Sequence, residues 1–206
     1  MSTLWRIVLV RHGETEGESS IRFHGASDVA LNDVGRRQAR EARGQMPDDR
    51  CELVVASSLM RARQTAHIIA PDRAVRLEPD FREIDFGRWE GLTREEIAAL
   101  DPDLYDAWQG KVSGFEFPEG ERRGDFRARV ERGLERLLAC GVGSAVVVAH
   151  KGVVRTIAEG LSGAVLPAAE PELGAVVSLV RHGPNTWRIT GRSPSSLPTP
   201  AASPTR

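Results

Sequence analysis

The sequence predicts an α/β domain built on a mostly parallel sheet. Two observations carry this. Short apolar, β-rich runs alternate with longer segments whose apolar residues recur at helical spacing. Four polar clusters each follow closely on one of those runs, as loops at the carboxyl ends of parallel strands do.

Taken in order, Leu4–Val10 is a buried strand closed by Arg11-His12-Gly13. Asn32-Asp33 caps a helix that runs to about Met46, with Ala39, Ala42 and Met46 on one face. Leu53–Ala56 is a second strand. Ser57 or Ser58 then caps a helix carrying Leu59, Ala62, Ala66 and Ile69 on one stripe. Val75–Leu77 is a third strand. Residues 93–109 read as helical turns broken at Asp101-Pro102, and Gly110–Gly120 as a loop rich in turn residues. A long amphipathic helix follows, with Phe126, Val130, Leu134, Leu137 and Leu138 on its stripe. Ala145–Ala149 is a strand and Val153–Leu161 a helix. Val176–Val180 and Thr186–Thr190 form a hairpin around Gly183-Pro184-Asn185.

The chain's 206 residues can bury a single core without staples, at 40% hydrophobic and 28% charged. They form one domain, residues 1–192, and a tail, 193–206. Ten of the fourteen tail residues are Pro, Ser or Thr, a composition that cannot bury a core, so disorder is expected there. The net charge of −1 argues against a nucleic-acid binder or a polybasic membrane anchor. Cys51 and Cys140 are too few and too isolated for a disulfide framework or a zinc module. Apolar runs such as Ile7–Val10 are far too short for a bilayer span or a secretory signal. The expected setting is cytoplasmic and soluble. Only Lys111 and Lys151 are lysines, so nearly all the basic charge is arginine.

The four clusters are Arg11-His12-Gly13-Glu14-Thr15, Ser57 through Arg61, Glu83 in Arg82-Glu83-Ile84-Asp85-Phe86-Gly87, and His150-Lys151-Gly152. Singly, each has a bland reading as loop or surface residues. Their coincidence at equivalent strand ends is what suggests a shared crevice. Two arginines and a second histidine there make a cationic cradle for a phosphate dianion. A neutral imidazole in line with phosphorus is a nucleophile. A nearby protonated carboxyl can supply the leaving alcohol's proton, and the helix beginning near Ser58 would add N–H groups and its positive end. The set suits phosphoryl transfer through a phosphohistidine, without metal or other cofactor.

These residues carry a family resemblance. Leu9-Val10-Arg11-His12-Gly13-Glu14-Thr15 resembles the signature of the histidine phosphatase superfamily, in its phosphoglycerate mutase-like branch. Ser57 through Ala66 resembles that family's second motif. Glu83 with Phe86-Gly87-Arg88-Trp89-Glu90-Gly91 resembles its acid-bearing segment, and Val147 through Arg155 its second-histidine segment. The resemblance runs in order from about Leu4 to Ile189. It implies a three-layer α/β/α sandwich whose mostly parallel central sheet ends in an antiparallel last strand. It implies that His12 becomes phosphorylated, that Arg11, Arg61 and His150 hold the phosphoryl oxygens, and that Glu83 donates the proton. Arg22-Phe23-His24-Gly25 falls at a substrate-facing loop, which makes Arg22, His24 and Gly25 candidate substrate-binding residues. The expected partner is a small phosphorylated metabolite, with neither nucleic acid nor membrane; a homodimer is compatible with this.

Two departures from the family's pattern stand out. Glu18 occupies a position where the family often has a phosphate-contacting Asn. A carboxylate there either turns away or reads a hydroxyl or cationic group of the substrate. Lys151 stands where the family is often small or neutral, and it either adds positive charge at the pocket mouth or is simply solvated. Arg122 and Arg123 have two readings as well, as contacts for a second acidic group or as a solvated helix start.

Rival motifs fail. Arg181-His182-Gly183 lacks the following Glu-Thr and leads into a hairpin turn. Gly141-Val142-Gly143 precedes a strand instead of following one. No P-loop, nucleophile elbow or metal-ligand spacing occurs. The four tryptophans Trp5, Trp89, Trp108 and Trp187 read as packing or pocket wall. The leading expectation is a metal-independent phosphomonoesterase of the histidine acid phosphatase type. The alternatives are a cofactor-dependent phosphoglycerate mutase-type phosphotransferase and a non-catalytic phospho-ligand binder. Against the mutase stand the short Ser57–Trp108 interval and the Pro/Ser/Thr tail, and against the binder the presence of every expected catalytic residue. The family's substrates include phosphoglycerates, sugar phosphates, α-ribazole phosphate and fructose 2,6-bisphosphate, and its specificity elements correspond to loops 17–28 and 101–123 here.

Overall fold

A computed structural model describes residues 3–46, 51–184 and 186–193. Six strands, β1 (Arg6–Arg11), β2 (Leu53–Ser57), β3 (Val75–Glu78), β4 (Ser144–Ala149), β5 (Val176–Gly183) and β6 (Thr186–Ser193), form one sheet in the order β3-β2-β4-β1-β5-β6. The first four run parallel, β5 runs against β1, and β6 pairs antiparallel with β5. Ser193, taken above as the first tail residue, pairs with Val176 in β6. Residues 194–206, the rest of the expected tail, lie outside the described residues, as does Asn185 of the hairpin turn.

The central strands read as unbroken apolar runs because both of their faces are covered. Every residue from Ile7 to Val10 and from Ala145 to Ala149 is buried. Their side chains alternate between two cores. Val8, Val10, Val54, Ala56, Val146 and Val148 meet Ala42 of α1 (Asp33–Gly44) and Ala62, Ala66 and Ile69 of α2 (Met60–Ile69). Ile7, Leu9, Val55, Ala145, Val147 and Ala149 meet Phe126, Val130 and Leu137 of α5 (Arg123–Leu138) and Val153, Val154, Ile157 and Ala158 of α6 (Lys151–Ser162). The period of two along each strand therefore makes the three layers.

The second core extends into an aromatic wall beneath α3 (Arg94–Leu100) and α4 (Pro102–Gln109). Trp89 packs there with Phe115 and Phe117, and Phe23 with Phe86 and Trp108. Trp89 is fully buried, and its indole N–H donates to Asp101 at 2.7 Å. Among the described residues no helix is long and apolar enough to cross a membrane.

Two local features aim the site. Asn32 caps α1 as expected, accepting from the Gly35 N–H at 2.9 Å. Gly35 lies so close to the end of β1 that an added Cβ would stand 1.9 Å from the Glu14 carbonyl oxygen. Only glycine permits this approach, which holds the chain after His12 against α1. The start of α2 differs from expectation. Neither Ser57 nor Ser58 caps it; the cap position is Leu59, without a side-chain acceptor. Ser57 ends β2, and its hydroxyl accepts from the Leu59 N–H and bonds His150. The first helical N–H, of Met60, donates instead to Asp28 from a distant loop at 2.6 Å. That N–H is thus committed inside the protein, contrary to the expectation that it would be available to a phosphate.

Candidate active site

Because β1 and β4 are parallel neighbours with Arg11 opposite Ala149, the residues that follow them emerge side by side. The His12 and His150 rings lie 5.1 Å apart, edge to face. His12 is only 3% exposed and His150 is fully buried.

The hydrogen bonds of His12 fix its tautomer. Its Nδ1–H donates to its neighbour's carbonyl, Gly13 O, at 2.7 Å, and its Nε2 accepts from the Arg61 Nε–H at 3.2 Å. A carbonyl can only accept and a guanidinium only donate, so the proton is on Nδ1 and the lone pair on Nε2. Burial, with the positive charges of Arg61 and Arg11, holds the His12 pKa well below its ordinary value. His150 is likewise held down by burial, with Arg61, His12 and Arg11 adding to the effect. Its Nε2 bonds Ser57 Oγ at 2.8 Å, and its buried Nδ1 has no partner among the described residues.

Arg61, fully buried in the first turn of α2, is seated by backbone oxygens. One terminal nitrogen donates to Ser27 O at 2.7 Å, and the other to His24 O at 3.0 Å and Gly25 O at 2.8 Å. Those carbonyls are held in turn by Glu90. Its carboxylate accepts from the N–H groups of Gly25, Ala26, Ser27 and Phe86 at 2.9–3.2 Å, and from the Ser27 hydroxyl. Burial pushes the Arg61 pKa down to about 10 against the pull of Glu83, Glu90 and Asp28. Arg11 is also pushed down to about 10 by burial; it donates to Pro171 O at 2.9 Å, and its Nε has no partner among the described residues.

Glu83 is buried, and its two oxygens accept separately from the N–H groups of Ile84 at 3.1 Å and Gly152 at 3.0 Å. A Cβ on Gly152 would stand 2.4 Å from that carboxylate, so glycine is what lets α6 reach it. Arg129 fixes the same segment by donating to the carbonyls of Asp80, Arg82 and Glu83.

The structure thus brings His12, Arg61, His150, Arg11 and Glu83 to one end of the sheet. Arg22, His24 and Gly25 stand in the neighbouring loop. The Arg22 guanidinium donates to Gly91 O and Glu96, tying the loop to α3. His24 bonds Gly17 O, and the carbonyls of His24 and Gly25 form part of the Arg61 seat. Glu18 is exposed and pairs with Arg22 at 3.5 Å. The Arg123 guanidinium stacks over Phe115 and Phe117. Sequence reasoning missed the roles of Glu90 and Ser57. Glu90 lies inside the acid-bearing segment, but apart from the Phe86 N–H its backbone partners are 63 to 65 residues away, which nothing local announces. Among the described residues no three His, Cys, Asp or Glu side chains cluster so as to hold a metal ion.

Residues 7–172 match the histidine phosphatase superfamily (branch 1). The chain belongs to this superfamily. A bifunctional protein of Mycobacterium tuberculosis is 39% identical over 146 residues, which are 69% of this chain and 40% of that protein. This chain therefore spans about two fifths of that relative's length. A metal-independent phosphoserine phosphatase of Arabidopsis thaliana is 34% identical over 194 residues, covering 91% of this chain and 81% of that one. The structure of a mycobacterial glucosyl-3-phosphoglycerate phosphatase superposes with a TM-score of 0.76 at 28% identity, over 90% of this chain and 97% of that one. The mixed sheet with its antiparallel end matches that solved fold.

The depressed histidines make stability depend on pH. In the unfolded chain both rings return to a pKa near 6.5. Between that value and their lower folded values the unfolded state binds more protons, so stability falls as the pH is lowered through this window. Each ring contributes a slope of up to about 1.4 kcal/mol per pH unit. Urea unfolding between pH 7 and 5 should therefore be steeper in pH for the native chain than for His150→Gln. Parallel curves would mean that the ring is not held neutral.

Proposed function

We propose that this chain is a metal-independent phosphomonoesterase of the cytoplasm that hydrolyses a small phosphorylated metabolite through a phosphohistidine on His12. The observation that carries the proposal is the state of His12: a neutral ring, pinned through Nδ1, with its Nε2 lone pair beside the Arg61 guanidinium. This is the form a nitrogen nucleophile needs.

In this reading Nε2 gives up its hydrogen bond from Arg61, whose Nε–H turns to a phosphoryl oxygen; Nε2 attacks phosphorus and the ester P–O bond breaks. The leaving oxygen takes a proton from the Glu83 carboxyl, and the alcohol departs. The resulting carboxylate takes a proton from a water that attacks the phosphohistidine, the P–N bond breaks, and phosphate leaves with Glu83 protonated again. Arg11 and Arg61 offset the charge on the phosphoryl oxygens. His150 contributes through Nδ1, the ring nitrogen left without a protein partner; Ser57 then donates its hydroxyl proton to Nε2. The arginines supply the charge that a metal would otherwise bring. Arg22, His24 and Gly25 frame the substrate side of the Arg61 seat in this reading. Relatives named as phosphatases of phosphoserine and of glucosyl-3-phosphoglycerate support hydrolysis as the reaction.

Rapid quenching during turnover of a radiolabelled phosphate ester should trap a phosphoenzyme that is labile in acid and stable in base. It should be absent from a folded His12→Ala variant, and dialysis against a strong chelator should leave the rate unchanged. An acid-stable adduct, retained turnover in His12→Ala, or activity lost to the chelator and restored by magnesium or zinc would refute the mechanism.

General acids contribute about a hundredfold to ten-thousandfold. The loss in Glu83→Gln should therefore depend on the leaving group. Single-turnover phosphorylation should slow greatly with an alkyl phosphate and much less with p-nitrophenyl phosphate, whose phenolate leaves unprotonated. Equal losses on the two would make Glu83 a positioning residue instead of the proton donor.

A further inference from the structure

Lys151 is the first residue of α6, between His150 and the Gly152 whose N–H holds the Glu83 carboxylate. It is half-buried, and among the described residues its ammonium has no hydrogen-bond or ion-pair partner. The charged groups that act on it most strongly are mostly cations, Arg11 of β1, Arg155 of α6 and Arg94 of α3, opposed by the Glu83 carboxylate. Arg155 is already spent on the carbonyls of Leu166, Pro167 and Glu170 and on Glu159. Glu83 is spent on two backbone N–H groups. Arg94 lies over the Trp108 ring and has no carboxylate partner among the described residues.

A half-buried ammonium among like charges is costly, and folding alone does not call for it. Burial and those cations push its pKa down to about 8. Its place in the site is specific. In the proposed mechanism His150 and Arg11 serve the phosphoryl oxygens and Glu83 the leaving oxygen, so Lys151, which follows His150 and precedes the N–H that holds Glu83, stands in the chain where the phosphoryl cradle meets the place of the alcohol.

Resting on the phosphatase reading, we infer that Lys151, reinforced electrostatically by Arg94, forms a subsite for a second anionic group on the substrate. The favoured substrates are then phosphomonoesters bearing a carboxylate or second phosphate a few atoms from the ester oxygen. Such a group would offset the unpaired charge and receive a charge-assisted hydrogen bond.

The test compares matched esters: 2-phosphoglycolate with 2-hydroxyethyl phosphate, and 3-phosphoglycerate with glycerol 3-phosphate. Each pair differs by a carboxylate in place of a hydroxymethyl group. The ratio of kcat/KM within at least one pair should favour the carboxylate by about tenfold to a hundredfold, the usual worth of a hydrogen bond to a charged group. Lys151→Met should bring that ratio close to one, and Lys151→Arg should keep most of it. As the pH rises through about 8 the native ammonium loses its proton, so the preference should fade in the native chain and persist in Lys151→Arg. Turnover of p-nitrophenyl phosphate separates the two ways to fail. Robust turnover with a ratio near one, or a ratio unchanged in Lys151→Met, overturns the subsite alone. Absence of turnover on every ester overturns the phosphatase reading and the subsite with it.

Discussion

The site depends on how a buried guanidinium is held. Arg61 has no exposed surface, and a charge so placed is costly unless its donors are met. Three backbone carbonyls, of His24, Gly25 and Ser27, meet its terminal nitrogens, which leaves Nε–H directed at His12. Carbonyls in a loop serve this purpose only if the loop cannot turn them away. Glu90 prevents that by gathering the N–H groups of residues 25–27. One carboxylate thus orders a loop, the loop seats one cation, and burial together with that cation keeps the neighbouring imidazole neutral, its Nε2 lone pair accepting from Arg61.

The same arrangement links the candidate-site end of the sheet to the aromatic wall. Glu90 follows Trp89, whose ring lies among Phe23, Trp108, Phe115 and Phe117. Phe23 precedes the Arg61 seat, while Trp108 and Phe115 flank the loop after α4. Repacking this wall would therefore shift the segment on which Arg61 rests. Coupling of this kind arises because interiors are close-packed and do not deform smoothly.

Much of the fold was legible because burial is written into strand and helix periodicity. Ile7–Val10 and Ala145–Ala149 are apolar on both faces, and the stripes on α2, α5 and α6 point where their spacing says, save Leu138, expected on the α5 stripe but exposed in the last turn, one residue past the inward-facing Leu137. The cap of α2 was not legible. Ser57 and Ser58 have the right chemistry at the right distance, yet the Ser57 hydroxyl is drawn to His150 across the sheet, and Asp28 arrives from 32 residues upstream. Local propensity gave way to a tertiary partner there. The site was legible as four clusters at strand ends, since parallel strands bring their carboxyl ends together. The Glu90 seat was not, because its partners are backbone groups that every sequence has. Lys151 could be singled out as unusual, but its want of a partner emerges only in three dimensions.

A double-mutant cycle on the rate of His12 phosphorylation, measured in single turnover, tests most directly whether Glu90 works through Arg61. The variants are Glu90→Gln, Arg61→Lys and the pair together. In the native background Glu90→Gln should slow phosphorylation by about tenfold or more, on the scale of a lost hydrogen bond to a charged group. With Arg61 already replaced, the same change should have little further effect, so that the coupling nearly equals the Glu90 effect itself. If Glu90→Gln slows phosphorylation by the same factor in both backgrounds, Arg61 is not seated by Glu90, and the ordering of the site has another cause.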